Sequence, residues 1–158
     1  MKLIAFADSH NAPRHMLAAL ARHKDVEACF FLGDGERDIG AIRKAFPLLP
    51  LYSVQGNCDP NSFEPYEGMA PFGGVLFFYT HGHSLFVKQD LESLWWTAQK
   101  RGADAALFGH THVPYYEFRN GIHLFCPGSI SFPRFGAPTY GLITVENQRP
   151  SFEICKAP

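Results

Sequence analysis

Two stretches of the chain set histidines one residue apart, His81-Gly82-His83 and His110-Thr111-His112, each after an apolar run. Asp8 and His10 follow an earlier run of the same kind, Asp34 follows a second and Asn57 a third. Aspartate and asparagine offer hard oxygen and histidine offers borderline nitrogen, a mixture that suits Mn, Fe, Zn or Ni better than Ca or Mg. Asp8, His10, Asp34, Asn57, His81, His110 and His112 together exceed what one tetrahedral ion takes up. A two-metal site with one bridging carboxylate would use them all. Singly, each has a plainer reading: an Asp after a strand is commonly a turn or helix cap, Gly56-Asn57 is a turn dipeptide, and a lone histidine is more often a satisfied core group. Turn chemistry, however, has little use for five successive strand ends that each offer a ligand.

The elements that would position these groups alternate. Residues 3–7 form a β-rich run, a helical segment opens at Pro13 with Met16, Leu17, Leu20 and Ala21 at helical spacing, and residues 28–32 form a second strand. A helix over 39–46 stops at Pro47, and a third strand covers 51–55. Such alternation implies right-handed βαβ units, and ligand sites form where the carboxyl ends of parallel strands converge. In the second half a buried strand precedes His81, and an amphipathic helix over 89–100 carries Leu91, Leu94, Trp95 and Ala98 on one face. Short runs follow at 105–108, 115–119, 122–125, 140–145 and 152–155, with a hairpin turn at Arg119-Asn120-Gly121. Between Asn57 and His81 there is room for only a strand or hairpin, so the cleft is expected to lack a capping domain.

A length of 158 residues with 46% hydrophobic and 15% aromatic content predicts one domain over 1–158. The net charge of -1 arises from 14 basic and 15 acidic residues without like-charge runs, which argues against a nucleic-acid tract or a membrane-surface patch. Asp8 cuts short the apolar N-terminal stretch, no cleavage-like site follows, and no window reaches the roughly 20 apolar residues of a membrane span. Cys29, Cys58, Cys126 and Cys155 show no CxxC pairing, so free thiols and a cytoplasmic location are expected. Trp95 reads as core; Trp96 is a candidate contact for a homodimer.

In order along the chain, Asp8-Ser9-His10, Gly33-Asp34, Gly56-Asn57-Cys58-Asp59, His81-Gly82-His83 and Gly109-His110-Thr111-His112 resemble the signature of the calcineurin-like metallophosphoesterases. More narrowly, they are similar to the small bacterial and archaeal branch of cytoplasmic phosphodiesterases, and residues 126–134 resemble a further loop of that branch. The resemblance implies an α/β fold, a four-layer α/β/β/α sandwich of two mixed sheets flanked by helices. It implies that Asp8, His10 and His112 hold one metal, that Asn57, His81 and His110 hold the second, and that Asp34 bridges them. A bridging hydroxide would then hydrolyse a small phosphodiester. Manganese is the expected metal, with nickel, iron or zinc as alternatives. The division of the last two histidines is also expected from a strand-like backbone, where one intervening residue leaves both side chains on one side while their tips diverge.

Asn57 and Cys58 are the candidate catalytic positions. Many relatives carry histidine where this chain has Cys58, and a thiol is a poorer proton donor near neutral pH, so good leaving groups should be favoured; filling space beside Asn57 is an equal reading. Asp59 is open between positioning water and making a turn. Arg134 is a candidate for binding the substrate phosphate or for supporting its loop. His83 reads as a supporting or turn residue, Cys126 stands where relatives usually have asparagine, and His15, His23 and His123 read as surface groups. A scaffold that keeps the fold without the chemistry, like the retromer subunit resembling this family, is the competing class, and a lost ligand would be its mark. A nuclease for long duplex substrates is disfavoured by the near-zero net charge.

Overall fold

The computed structural model describes residues 1–158. In chain order the elements are β1 (Lys2–Phe6), α1 (Arg14–Arg22), β2 (Ala28–Phe31), α2 (Glu36–Ala45), β3 (Leu51–Ser53), β4 (Glu67–Phe72) and β5 (Val75–Thr80). Then come α3 (Glu92–Lys100), β6 (Ala105–Leu107), β7 (Pro114–Arg119), β8 (Ile122–Pro127), β9 (Thr139–Glu146) and β10 (Arg149–Lys156). They build two five-stranded sheets, β10-β9-β1-β2-β3 and β4-β5-β6-β8-β7. Both are mixed: β1, β2 and β3 run parallel, as do β5, β6 and β8, while antiparallel strands flank each group.

Three apolar layers account for the four-layer α/β/β/α sandwich that the signature blocks imply. Side chains alternate across each strand, so Leu3, Ala5, Phe30 and Leu32 meet Phe77, Tyr79, Leu107 and Phe125 between the sheets. From the opposite side of the first sheet, Ile4, Phe6, Cys29 and Phe31 bury against Met16 and Leu20 of α1 and Ile39 and Ile42 of α2. On the outer face of the second sheet, Phe78, Ala106 and Leu124 pack against Leu94, Trp95 and Ala98 of α3.

Several boundaries differ from the sequence expectation for local reasons. The α3 helix starts at Glu92, not 89: Leu91 is its N-cap, and just before it the Asp90 carboxylate accepts the Glu92 N–H at 2.9 Å, an Asx turn that leads into the helix. The α2 helix starts at Glu36, before its first buried apolar residue, with Glu36 and Asp38 in the first turn. The segment between Asn57 and His81 holds β4, joined to β5 through Gly73 and Gly74, whose φ values of 58° and 82° make a tight reversal. Strands β9 and β10 outrun their apolar cores because Asn147 and Gln148, at φ 50° and 61°, close a two-residue hairpin that keeps the ladder in register.

Candidate metal centre

The carboxyl ends of β1, β2, β3, β5 and β6 lead into the segments that carry the seven expected ligands. These segments are bound to one another backbone to backbone. Asp8 N–H donates to Gly33 O at 3.0 Å, His10 N–H to Asp34 O at 2.8 Å, and Gly109 N–H to His81 O at 3.1 Å. Gly109 also lets the end of β6 lie close against the ends of β1 and β2, since a Cβ there would lie 2.9 Å from Ala7 Cβ and 3.0 Å from Leu32 O.

The backbone itself is unusual. Asp8, His10, Asp34, His110 and His112 all have positive φ, at 55°, 47°, 59°, 67° and 58°. Left-handed conformations are costly for residues other than glycine and persist where surrounding structure enforces them, often at functional sites. This corrects the strand-like picture of His110 and His112: the segment is a turn, and its left-handed residues aim the two rings at different clusters.

One cluster gathers Asp8, His10 and His112, and another gathers Asp34, His81 and His110, each with a set of donor atoms within 4.8 Å of one another. In the first, His10 Nε2 is 3.2 Å from His112 Nε2, which is 3.4 Å from Asp8 Oδ1. In the second, His81 Nε2 is 3.5 Å from Asp34 Oδ2 and 3.1 Å from Asn57 Oδ1, and the His81 and His110 rings are 4.9 Å apart. Asp34 also stands 3.9 Å from His10 Nε2, between the clusters. The far ring nitrogens are tied back. His81 Nδ1 donates to Leu32 O at 2.6 Å and His112 Nδ1 to Phe132 O at 2.6 Å, which leaves each Nε2 free to act as a ligand.

The donor set fits divalent transition metals. Asp8 and Asp34 are 0% and 2% exposed, and the charge partners at their carboxylates are histidines. Asp8 Oδ1 is buried without a hydrogen-bond donor, a costly state that a bound cation relieves.

Electrostatics within the clusters are strongly coupled. Burial opposes ionisation of Asp34, but the His81 imidazole and the Cys58 amide outweigh it and hold the carboxyl well below the usual range. Burial likewise opposes protonation of His81, and Asp34 and Asp8 reverse that to a net rise. His110 is pushed down to about 4 by burial, then by His81 and Lys88, whereas the hydrogen bond to Asp8 raises His112.

Cys58 donates its backbone N–H to Asp34 Oδ1 at 2.8 Å, and its sulfur lies within 4.8 Å of donor atoms of His10 and Asp34. Partial desolvation and the Asp34 charge push the thiol up to about 11, so it is neutral at physiological pH.

Asp59 closes a turn, its N–H donating to Gly56 O at 3.3 Å, and its side chain reaches well beyond that turn. Its buried carboxylate accepts the N–H groups of Asp34, Gly35, Glu36 and Gly56 at 2.8, 3.0, 3.0 and 2.9 Å, stitching the loop after β2 to the loop after β3. Two further supports escaped sequence reading. Ser129 Oγ donates to Asp8 O at 2.8 Å, and Ser9 Oγ donates to Asp38 at 2.5 Å, where burial raises the Asp38 carboxyl. Their only sequence signal is polarity inside segments that otherwise bury.

His83 lies in a short 3-10 turn, His83–Leu85, with its ring 5.3 Å from His81 and its buried Nδ1 unpartnered. Cys126 is fully buried in β8, 3.5 Å from Thr111 Oγ1. The Arg134 backbone N–H donates to His112 O at 3.1 Å, and its side chain is exposed at the rim. The surface reading of three other histidines is corrected. His15 bonds the Pro158 carbonyl, His23 bonds Tyr140 Oη, and His123 sits half-buried among Tyr116, Phe118 and Phe152.

A family model described as the calcineurin-like phosphoesterase superfamily domain matches residues 1–148. A probable metallophosphoesterase, YsnB of Bacillus subtilis, is 31% identical over 93% of this chain and 86% of its own. Phosphodiesterase YfcE of Escherichia coli is 37% identical, over 59% of this chain and 52% of its own, so the match spans about half of that relative. Wild-type Vps29 of Entamoeba histolytica, solved with zinc, superposes with a TM-score of 0.77 at 18% identity over 99% of each chain. That likeness shows the fold alone, and the fold is thus shared with a vacuolar protein sorting protein.

Proposed function

Given that the chain belongs to the calcineurin-like phosphoesterase superfamily, we propose that it is a metal-dependent phosphodiesterase with a dinuclear centre. The observation that carries this reading is the pair of adjoining clusters with Asp34 between them. Asp8, His10 and His112 would hold one cation and Asn57, His81 and His110 the other, with Asp34 shared. Bound cations, manganese foremost, supply a water activated near neutral pH and neutralise charge on the phosphoryl oxygens.

The chain's own residues then have assignable tasks. Leu32 O and Phe132 O hold the rings of His81 and His112 in their ligating orientation. Asp59 holds the loops of Asp34 and Asn57 together. A Cys58 thiol near pKa 11 is a weak acid beside the cluster, so a leaving group that departs without strong protonation is favoured. Arg134, free of ion pairs, is available to a substrate phosphate. The YfcE match supports a diester as the substrate class. The four cysteines are all unpaired, which supports a reducing, cytoplasmic setting, and no helix is long and apolar enough to cross a membrane.

The test is hydrolysis of bis(p-nitrophenyl) phosphate by protein reconstituted separately with Mn, Ni, Zn and Mg, alongside Asp34→Ala and His81→Ala. Wild-type turnover should exceed either variant by at least a hundredfold, and metal analysis after dialysis should return two equivalents. Protein that retains no metal and hydrolyses no better than the variants would instead favour the scaffold reading.

A further inference from the structure

The rim of the cleft carries features the proposed chemistry does not use. Tyr66 and Phe132 are 59% and 53% exposed, yet Phe132 abuts the ring of His10 and Tyr66 abuts His83, the neighbour of His81. The Tyr66 ring lies 6.0 Å from His83, which lies 5.3 Å from His81, at the end of the Asp34–His81–His110 cluster. Phe132 meets His10 edge-on at 5.8 Å, at the end of the Asp8–His10–His112 cluster. The contacts therefore connect Tyr66 through His83 and His81 to Asp34, then through His10 to Phe132, and both terminal rings are exposed.

Two cations lie beside the second histidine pair. Lys88 and Arg134 line one cavity of about 250 Å³ with Val87, Thr111 and Val113, alongside the His110–His112 turn. Both side chains are exposed, and neither enters any ion pair in the protein. Lys88 is fixed near the clusters by the turn before it, where Val87 closes against Gly82 so tightly that a Cβ on Gly82 would lie 2.8 Å from it.

A phosphodiester has one anionic centre and two ester arms, and this rim offers matching parts. Resting on the phosphodiesterase reading, we propose that the cleft selects diesters with a flat aromatic or heteroaromatic ring on each arm. Tyr66 stacks one ring, Phe132 the other, and Lys88 and Arg134 face the phosphate between them. Stacking tolerates any flat ring because every such ring presents a π-face, and removal of one aromatic partner typically costs roughly tenfold in affinity. The charge of the two cations is uniform toward all diesters and does not discriminate among arms.

The experiment is calorimetric binding of diphenyl phosphate, diethyl phosphate and thymidylyl-(3′,5′)-thymidine to the Mn-loaded protein, to Tyr66→Ala, to Phe132→Ala and to the double variant. Both residues are exposed side chains whose truncation leaves the backbone acceptor Phe132 O in place. Each single variant should weaken diphenyl phosphate about tenfold, and the double variant further, with diethyl phosphate changed less than twofold. A parallel loss for the dinucleotide identifies heterocyclic arms as accepted; loss for diphenyl phosphate alone restricts the class to simple aryl arms. Diphenyl and diethyl phosphate binding equally, or variants that shift both alike, overturns the inference. Hydrolysis of bis(p-nitrophenyl) phosphate by the same wild-type preparation keeps that failure separate from failure of the phosphodiesterase reading.

Discussion

Replacing Asp59 with alanine removes one carboxylate and strands four backbone donors. Three of the bonds, from Asp34, Gly35 and Gly56, are buried, while the fourth, from Glu36, is partly open to water. Hydrogen bonds to a charged group contribute about 1.5–3 kcal/mol each, but the bonds share one acceptor and are not independent. Counting only the three buried ones at the lower figure gives a loss of about 4.5 kcal/mol for Asp59→Ala. Asp59→Asn keeps one acceptor oxygen and turns an amide N–H toward two of the donors, so its expected loss is about 2 kcal/mol. Small domains are stable by about 5–15 kcal/mol, so both variants should fold. In urea, with a slope of about 2 kcal/mol/M, the alanine midpoint should fall by about 2 M and the asparagine midpoint by about 1 M. An alanine variant within about 1 kcal/mol of wild type would refute the reasoning, because it would mean that water or a local shift satisfies the stranded donors.

Gly56→Ala should be destabilising by about 2 kcal/mol or more and should lose metal, since the added Cβ would overlap Asp34 Oδ1 and its backbone nitrogen; urea melts and metal analysis check both. With a pKa of about 11 against the ordinary 9.0, the Cys58 thiolate fraction at pH 8 is about a hundredfold below that of a free thiol, so iodoacetamide should label its peptide correspondingly slowly in metal-free protein. His110 is neutral in the fold and protonated in the unfolded chain between about pH 4 and 6.5, so the unfolded state binds the extra proton and this group's contribution is lost as pH falls through that window. The urea midpoint of metal-free wild type should therefore drop relative to His110→Asn between pH 6.5 and 4, and parallel curves would contradict the shift.

The residue types and their order were legible in the sequence because metal chemistry restricts side chains to a few donors, and because each donor follows an apolar run that can only be a buried strand. Asp8, Asp34, His81 and His110 were identifiable on that basis. The alternation of strands and helices likewise followed from period and punctuation, whereas the two mixed sheets with helices outside them were expected from the resemblance of the signature blocks. What tertiary structure decided is where non-local contacts outweigh local preference. Nothing in His110-Thr111-His112 signals left-handed residues, because the bonds that hold the segment come from distant parts of the chain: Gly109 to His81, His110 to Asp8, and Arg134 and Phe132 to His112. Asp59 stayed open between a turn and a water-positioning role because the four partners of its carboxylate belong to two loops that meet only when β2 and β3 pair. The sequence thus determined which atoms are available as ligands, and the face-to-face packing of the two sheets, which brings the carboxyl ends of their parallel strands together, determined which of them share a cluster.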